Sequence, residues 1–260
     1  MQWLFNDAVW QISDNDWFNS RLIYGDGFFE SMIYRDGKLL YYDLHLLRIS
    51  KALKILQLET EMDVDVVLNK AIRGVPFKNG RLRVLFYRQS GGFYLPTTNN
   101  ADIVVTAVES YQHTYKLNSG KLTMGYYSDN FKPMGLLSNI KTCNGLISVM
   151  AAKHAAENGF DDCFISNGLN YIETSNANLF LWLDGKLKTP DLNQGCVAGI
   201  MRQVCINYAI QQNVEVVESL LTLTDFELAD DIILTNVGSI RSVKQSKLAF
   251  TDNFIAFLNK

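Results

Sequence analysis

The sequence predicts an α+β protein of two domains. Its 260 residues are 48% hydrophobic with only 4 prolines, which is typical of a folded chain with room for two modest domains. Asp-Gly and Asn-Gly dipeptides recur between runs rich in β-branched, aromatic or Leu residues, and such dipeptides favour hairpins. A polar, aperiodic stretch predicts a linker at 111–121, between an N-terminal domain at 1–110 and a larger C-terminal domain at 122–260.

The first half predicts a hairpin, two helices and two further strands. The hairpin turns at Asp36-Gly37, and Asp43 is placed to cap a helix with an apolar stripe that ends at Leu56. In order, the predicted elements are strands at 28–34 and 38–42, helices at 43–56 and 63–73, and strands at 81–87 and 103–108.

The second half predicts more strands than helices. Asn167-Gly168 and Asp184-Gly185 provide two more hairpin turns. The predicted strands lie at 122–127, 162–166, 171–173, 178–183, 186–187, 214–217 and 232–235. Helices are predicted from 146 to 158, from 198 to 211 and from 254 to 258.

Composition narrows the class of partner. A net charge of −3 gives no indication of nucleic acid or of an anionic membrane surface, and no apolar run approaches the roughly 20 residues that span a bilayer. The four cysteines are scattered without a C-x-x-C pair, which is typical of free thiols in a reducing compartment. Three dispersed histidines make a zinc site improbable. We therefore expect a cytoplasmic protein with a small-molecule substrate and no bound metal.

Lys141 is the first candidate for chemistry. It lies in a loop between apolar residues and a strongly helical segment that begins at Leu146. A loop lysine is most often a solvated charge, but a buried one loses proton affinity and its amine can attack an aldehyde.

Two later features add to it. Glu173 follows a predicted strand and opens a polar run, and Gly199-Ile200-Met201-Arg202 begins a predicted helix. Taken alone, these are an ordinary strand-end carboxylate and a glycine-containing loop. A helix N-terminus also offers unpaired N–H groups and a positive dipole end to a phosphate.

The ordered set resembles the class IV aminotransferases, which are pyridoxal-phosphate (PLP) enzymes of fold type IV with a D-amino-acid aminotransferase-like architecture. Two more motifs carry the resemblance, Gly-Asp-Gly-x-Phe-Glu at 25–30 and His-x-x-Arg at 45–48, so it spans about Gly25 to Val243. It implies the fold, PLP as the cofactor, and an enzyme that we expect to be a homodimer.

The resemblance also implies residue roles. Lys141 carries the PLP and then shuttles the substrate Cα proton, while Glu173 pairs with the pyridine nitrogen. The residues expected to bind the cofactor besides these two are Arg48, Asn176, Gly199, Ile200, Met201, Thr235 and Asn236. Many relatives have threonine at the position of Met201, so here only the backbone is expected to bind phosphate. Phe29 and Arg88 are expected to contact the substrate.

Within the family three reactions compete: branched-chain transamination, D-amino-acid transamination and the aminodeoxychorismate lyase step of folate biosynthesis. The run Gly199-Ile200-Met201-Arg202-Gln203 is similar to the lyases, and 88–92 resembles their Arg-Gly-Ser-Gly-Gly loop. The Arg-x-His of the D-amino-acid enzymes and the Gly-Asn-Tyr of the branched-chain enzymes are missing. The sequence therefore favours the lyase, with an amino-acid transaminase and a non-catalytic binder of a phosphorylated ligand as alternatives.

Overall fold

The chain divides into two compact units, and the computed structural model describes residues 4–6, 9–11, 21–110 and 114–260. Unit 1 consists of Met1–His113 together with Ile140–Asn144. Unit 2 consists of Thr114–Asn139 together with Gly145–Lys260. Helices and sheets occur in both units, which confirms the predicted α+β class.

Unit 1 contains an antiparallel sheet of order β4-β3-β5-β6 and two helices. Its elements are β1 (Leu4–Asn6), β2 (Val9–Gln11), a 3-10 turn (Arg21–Tyr24), β3 (Gly27–Arg35), β4 (Lys38–Leu39), α1 (Tyr42–Leu56), α2 (Val64–Arg73), β5 (Gly80–Arg88) and β6 (Ala101–Glu109). The predicted hairpin is present, with Asp36 and Gly37 both at positive φ. Asp63 caps α2 by accepting a hydrogen bond from Asp65 N, whereas Asp43 lies inside the first turn of α1 rather than at its cap.

The core of unit 1 lies between one face of this sheet and the helices. Phe28, Met32 and Tyr34 are buried on one face of β3, whereas residues 29, 31 and 33 between them are half-buried, since successive strand side chains point to opposite faces. They pack with apolar residues of β5, α1 and α2, which are Leu82, Val84, Phe86, Ile49, Ala52, Val67, Leu68 and Ala71.

Unit 2 is built around a mixed sheet in which β10 is central. The described strands are β7 (Met124–Tyr127), β8 (Asp162–Ser166), β9 (Tyr171–Thr174), β10 (Asn178–Leu183), β11 (Lys186–Pro190), β12 (Val216–Ser219), β13 (Asp231–Asn236) and β14 (Ser239–Ser242). β10 pairs antiparallel with β11 and β13, and its first residue pairs with β9. β7 joins β8 in parallel. Residues near the start of β10 and the end of β13 therefore meet at one edge of the ladder.

The helices of unit 2 are α3 (Leu146–Glu157), α4 (Ile200–Gln211), α5 (Leu223–Leu228) and α6 (Ala249–Leu258), with a 3-10 turn at Leu192–Gln194. α3 packs on β7 and β8, and α4 packs on β12 and β13. α5 and β14 are absent from the sequence-based expectation. Among the helices in the described part of the chain, none has the length and apolarity that crossing a bilayer requires.

The segment that carries Lys141 belongs to unit 1, whereas the sequence predicted it in the C-terminal domain. The reason is backbone pairing: Phe29 N donates to Lys141 O and Cys143 N donates to Gly27 O, each at 2.9 Å. Local sequence carries no sign of this long-range pairing. Residues 114–121 of the predicted linker pack in unit 2, where Asn118 donates to Ser242 O, and residues 111–113 lie outside the described part.

Candidate active site

In unit 2, Asn178 joins three of the predicted site residues. It is the first residue of β10 and pairs with Glu173 of β9 and with Thr235 of β13. Its side-chain amide donates to Val197 O at 2.8 Å, in the loop that leads to Gly199. The sequence analysis did not single out Asn178 as a site residue, although it closes the polar run that Glu173 opens.

Glu173 is buried, and both of its carboxylate oxygens are engaged. Oε1 accepts from Lys132 Nζ at 2.5 Å, and Oε2 accepts from Val197 N at 2.8 Å. Only 6% of the Glu173 side chain and 15% of the Lys132 side chain are exposed. Two donors therefore hold the carboxylate in one orientation, and a carboxylate is a group that can pair with a protonated ring nitrogen. Lys132 was missed because nothing in its local sequence marks it.

The N-terminus of α4 is open for an anion. The first backbone N–H groups of a helix have no intrahelical acceptor. Gly199, which precedes α4, provides no side-chain acceptor for them either. A Cβ at Gly199 would lie 2.0 Å from Asn178 Oδ1, so any other residue there would displace the Asn178 amide. Met201 is buried, and the binding of phosphate by its backbone stays a prediction.

Thr235 has a buried hydroxyl group that no described residue satisfies. Only 1% of the residue is exposed, and its Oγ1 has no hydrogen-bond partner among the described residues. A buried hydroxyl without a partner is costly, by about 1–3 kcal/mol. Because α4 packs on β13 and Asn178 contacts both Thr235 and the Gly199 loop, a phosphate at the α4 N-terminus fits this unpaired hydroxyl.

Asn176 lies in the loop between β9 and β10, and Asn236 is the last residue of β13. Asn236 Nδ2 donates to Asn176 O at 3.2 Å. Arg241 Nη2 donates to Asn176 Oδ1 at 3.0 Å and to the buried carboxylate of Asp162 at 2.8 Å. Arg241 therefore connects the loop after Glu173 to β14 and fixes the position of Asn176.

In unit 1, Lys141 lies against Phe29. Its Nζ is 4.5 Å from the centre of the Phe29 ring, a cation–π distance. Thr142 bridges to Phe28, so the segment runs beside the start of β3. Gly27 is required there, because a Cβ would lie 2.4 Å from Phe86 O. In unit 2, the Asn139 side chain donates to Leu192 O and Cys196 O, which fixes the chain two residues before Lys141.

Arg48 forms a bidentate ion pair with Glu30. Arg48 Nε and Nη2 donate to the two carboxylate oxygens at 2.6 and 2.7 Å, and His45 Nδ1 lies 2.7 Å from Oε2. Burial raises the pKa of Glu30, but the Arg48 charge and the hydrogen bonds from His45 and Arg48 outweigh it, so this pKa is lower than its ordinary value. Glu30 and His45, which were not predicted as site residues, thus orient the guanidinium. Phe29 and Glu30 are consecutive, so Lys141 and Arg48 contact opposite faces of β3.

Arg88 has internal partners. Its guanidinium donates to the Asp26 carboxylate at 3.0 Å, to Leu56 O at 2.7 Å and to Asn99 Oδ1 at 2.8 Å. Only 5% of the residue is exposed. These contacts give Arg88 a structural role in joining β5 to the end of α1, and they speak against the predicted contact with substrate.

The chain is similar in sequence to a known protein family and to two of its characterised or provisionally described relatives. The sequence model of the family described as amino-transferase class IV matches residues 27–245. The chain is 28% identical over 228 residues to a Methanocaldococcus jannaschii protein provisionally described as a branched-chain-amino-acid aminotransferase, which covers 85% of this chain and 78% of the relative. It is also 28% identical over 217 residues to the aminodeoxychorismate lyase of Vibrio harveyi, covering 82% and 80%.

The fold is also found in solved structures. A Legionella pneumophila protein, provisionally described as a 4-amino-4-deoxychorismate lyase, superposes with a TM-score of 0.86 at 22% identity. The match covers 96% of each chain. At this identity the likeness supports the fold.

Proposed function

The chain belongs to the amino-transferase class IV family, and from that premise we propose that it is a 4-amino-4-deoxychorismate lyase, releasing pyruvate and 4-aminobenzoate. Membership confirms the broader predictions from the sequence: the resemblance itself, the α+β fold, an enzyme, and pyridoxal phosphate as its cofactor. The residue roles and the reaction type are our proposals.

The cofactor, when bound, supplies an aromatic ring that accepts electrons from the substrate Cα. We assign Lys141 to holding its aldehyde carbon covalently and then to moving the Cα proton. Glu173 holds a proton on the ring nitrogen. Thr235, the backbone of 199–201, Asn176 and Asn236 are assigned to the phosphate. Arg48 is assigned to it from the family resemblance alone, because Arg48 and Lys141 contact opposite faces of β3. The unpaired Thr235 hydroxyl at the edge of β13 is the observation that best supports this arrangement.

The choice of a lyase over a transaminase is argued from Met201 and its neighbours. Its buried side chain stands where many relatives have threonine, and the run Gly199-Ile200-Met201-Arg202-Gln203 is similar to the lyases. With 28% identity to both a lyase and a provisionally described branched-chain aminotransferase, overall similarity does not favour either reaction, so the site residues carry the choice. Branched-chain or D-amino-acid transamination is the second candidate.

The deciding experiment supplies aminodeoxychorismate to the purified holoenzyme with no keto acid. A lyase forms pyruvate and 4-aminobenzoate in equal amounts. A transaminase requires an amino acid and a keto acid in turn, with ping-pong kinetics. Transfer from leucine or D-alanine to 2-oxoglutarate without 4-aminobenzoate would overturn the lyase assignment. Lys141→Ala serves as the control, because it should abolish either reaction.

We also propose a homodimer. Leu146, Val149 and Met150 occur at i, i+3 and i+4 of α3, and all three are exposed on one side of the helix. An exposed apolar helix face favours association. Sedimentation should give about twice the mass of 29.5 kDa, and Val149→Glu should shift the protein towards the monomer. An unchanged mass in this variant would exclude the α3 face.

A cytoplasmic location remains a proposal. The four cysteines are free thiols, and burial raises the pKa of Cys143 and Cys196 to about 11. Such unreactive thiols are suited to a reducing compartment. Cell fractionation with an antibody to the protein tests this location, and recovery outside the cytoplasmic fraction would contradict it.

A further inference from the structure

Lys132 is a charged, largely buried residue to which neither the family resemblance nor the proposed mechanism gives a role. It lies in the loop between β7 and α3, where its backbone N–H donates to Ser166 O at 2.9 Å. Its ammonium contacts Glu173 Oε1 at 2.5 Å. Resting on the proposed pairing of Glu173 with the cofactor ring, we propose that Lys132 is a positioning residue that displaces the proton shared by Glu173 and the ring nitrogen onto that nitrogen.

The argument begins with the surroundings of the carboxylate. Val197 N donates to Glu173 Oε2, and Lys132 Nζ donates to Oε1. One neutral donor and one cation therefore fix the orientation of the Glu173 carboxylate. The nearby Cys196 thiol contributes no charge at neutral pH, because burial raises its pKa to about 11. Arg202, which also acts electrostatically on that cysteine, is in an ion pair with Glu218 at 2.6 Å. Lys132 is therefore a cation in direct contact with Glu173.

Electrostatics then determines where the shared proton resides. A proton between a carboxylate and a pyridine nitrogen lies either on the oxygen, giving a neutral pair, or on the nitrogen, giving an ion pair. A cation in contact with the carboxylate stabilises its ionised form. The Lys132 ammonium also disfavours a proton on the ring nitrogen. This second effect is weaker, because the ring nitrogen would not itself contact the ammonium. The net effect favours the protonated ring, which is the better electron acceptor.

The functional consequence is a division of roles between the two residues. Glu173 makes the contact with the ring nitrogen, and Lys132 determines which of the two partners carries the proton. A contact charge changes proton affinity by roughly one to three pH units, so its removal should shift the proton equilibrium about tenfold or more. Turnover should fall with it, while cofactor affinity changes little.

The test compares holoenzymes loaded with cofactor that is ¹⁵N-labelled at the ring nitrogen. Lys132→Gln removes the charge but keeps a hydrogen-bond donor, Lys132→Arg keeps the charge, and Glu173→Gln marks the unprotonated end of the scale. Lys188→Met is the matched control, because it removes another lysine ion pair of unit 2, with Asp225 at 3.1 Å. Lys132→Met replaces the glutamine variant if that variant does not fold.

We expect the nitrogen signal of Lys132→Gln to move from the wild-type position towards that of Glu173→Gln. Lys132→Arg and Lys188→Met should stay at the wild-type position. A Lys132→Gln signal identical to that of the wild type would overturn the inference and leave the proposed function intact. Failure of the wild type to bind the labelled cofactor would instead overturn the cofactor site itself, so the two failures are distinguishable.

Discussion

Asn178 lies directly opposite Thr235 in the pairing of β10 with β13, and the two buried side chains differ in how they are satisfied. The Asn178 amide is hydrogen-bonded to Val197 O, whereas the Thr235 hydroxyl has no partner among the described residues. The Asn178 side chain therefore contributes to the protein's own structure, whereas the Thr235 hydroxyl is the atom that we propose binds the phosphate.

Thr235→Val should therefore act in opposite directions on the apoprotein and on cofactor binding. Removing an unpaired buried hydroxyl should raise the free energy of unfolding of the apoprotein by about 1 kcal/mol. PLP affinity should fall by roughly two- to tenfold, the loss of one hydrogen bond worth about 0.5–1.5 kcal/mol. Denaturant unfolding and cofactor titration measure the two effects.

Thr251→Val is the control for this prediction. Thr251 lies in α6, is equally buried and also has an Oγ1 without a partner among the described residues. It should give a similar gain in apoprotein stability with unchanged PLP affinity. Loss of affinity in both variants would show that the effect is not specific to the phosphate site.

The cofactor should be attached to Lys141. The holoenzyme should be yellow, and borohydride should abolish the absorption band by fixing the cofactor on this lysine. Peptide mapping by mass spectrometry identifies the modified residue. Recovery of the adduct on Lys132 or Lys153 would contradict the assignment.

Arg48→Ala should weaken PLP binding more than it lowers turnover at saturating cofactor. A charge-assisted contact to phosphate contributes about 1.5–3 kcal/mol, or roughly ten- to a hundredfold in affinity. Arg48→Lys keeps the charge without the planar guanidinium, so its PLP affinity should lie between that of the wild type and that of Arg48→Ala. If both variants bind PLP as the wild type does, Arg48 does not bind the phosphate.

Glu173→Gln should keep the cofactor and lose most of the turnover. The amide can still accept a hydrogen bond from Val197 N, but it cannot favour a proton on the ring nitrogen. The loss should appear in kcat rather than in substrate binding. Near-normal kcat would mean that another acid serves the nitrogen.

Glu30→Gln should destabilise the protein at neutral pH by about 3 kcal/mol, since it removes a buried carboxylate that is ion-paired with Arg48 and hydrogen-bonded to His45. The pKa of Glu30 is lowered in the folded protein from its ordinary 4.5, so this carboxylate stabilises the fold above about pH 4.5. That contribution is lost as the pH falls further, through the folded pKa. Denaturant unfolding from pH 3 to 7 should show the two proteins converging only at the acidic end.

The sequence predicted the elements whose signals are local. Asn167-Gly168 and Asp184-Gly185 bounded the β8–β9 and β10–β11 hairpins, and Asp63 marked the start of α2. α5 could have been found, because Thr222 and Asp225 form a capping box. It is only six residues long, and no apolar repeat indicates it.

The candidate site divides in the same way. Lys141, Glu173 and Gly199 stand in motifs that can be recognised along the chain. Asn178 and Lys132 acquire their roles only through pairing and loop conformation, to which residues far apart in sequence contribute. Arg88, a motif residue predicted to contact the substrate, donates hydrogen bonds to carbonyl oxygens at the end of α1, and its motif does not indicate these long-range contacts.

The assignment of Ile140–Asn144 to unit 1 has a consequence for biosynthesis. A nascent chain that has emerged through residue 113 holds most of unit 1 but lacks the strand-like neighbour of Phe28 and Phe29. That neighbour emerges only after Thr114–Asn139, which belongs to unit 2, has left the ribosome. We expect unit 1 to finish folding only while unit 2 is being synthesised. A fragment that ends at residue 113 should therefore not reproduce the fold of unit 1.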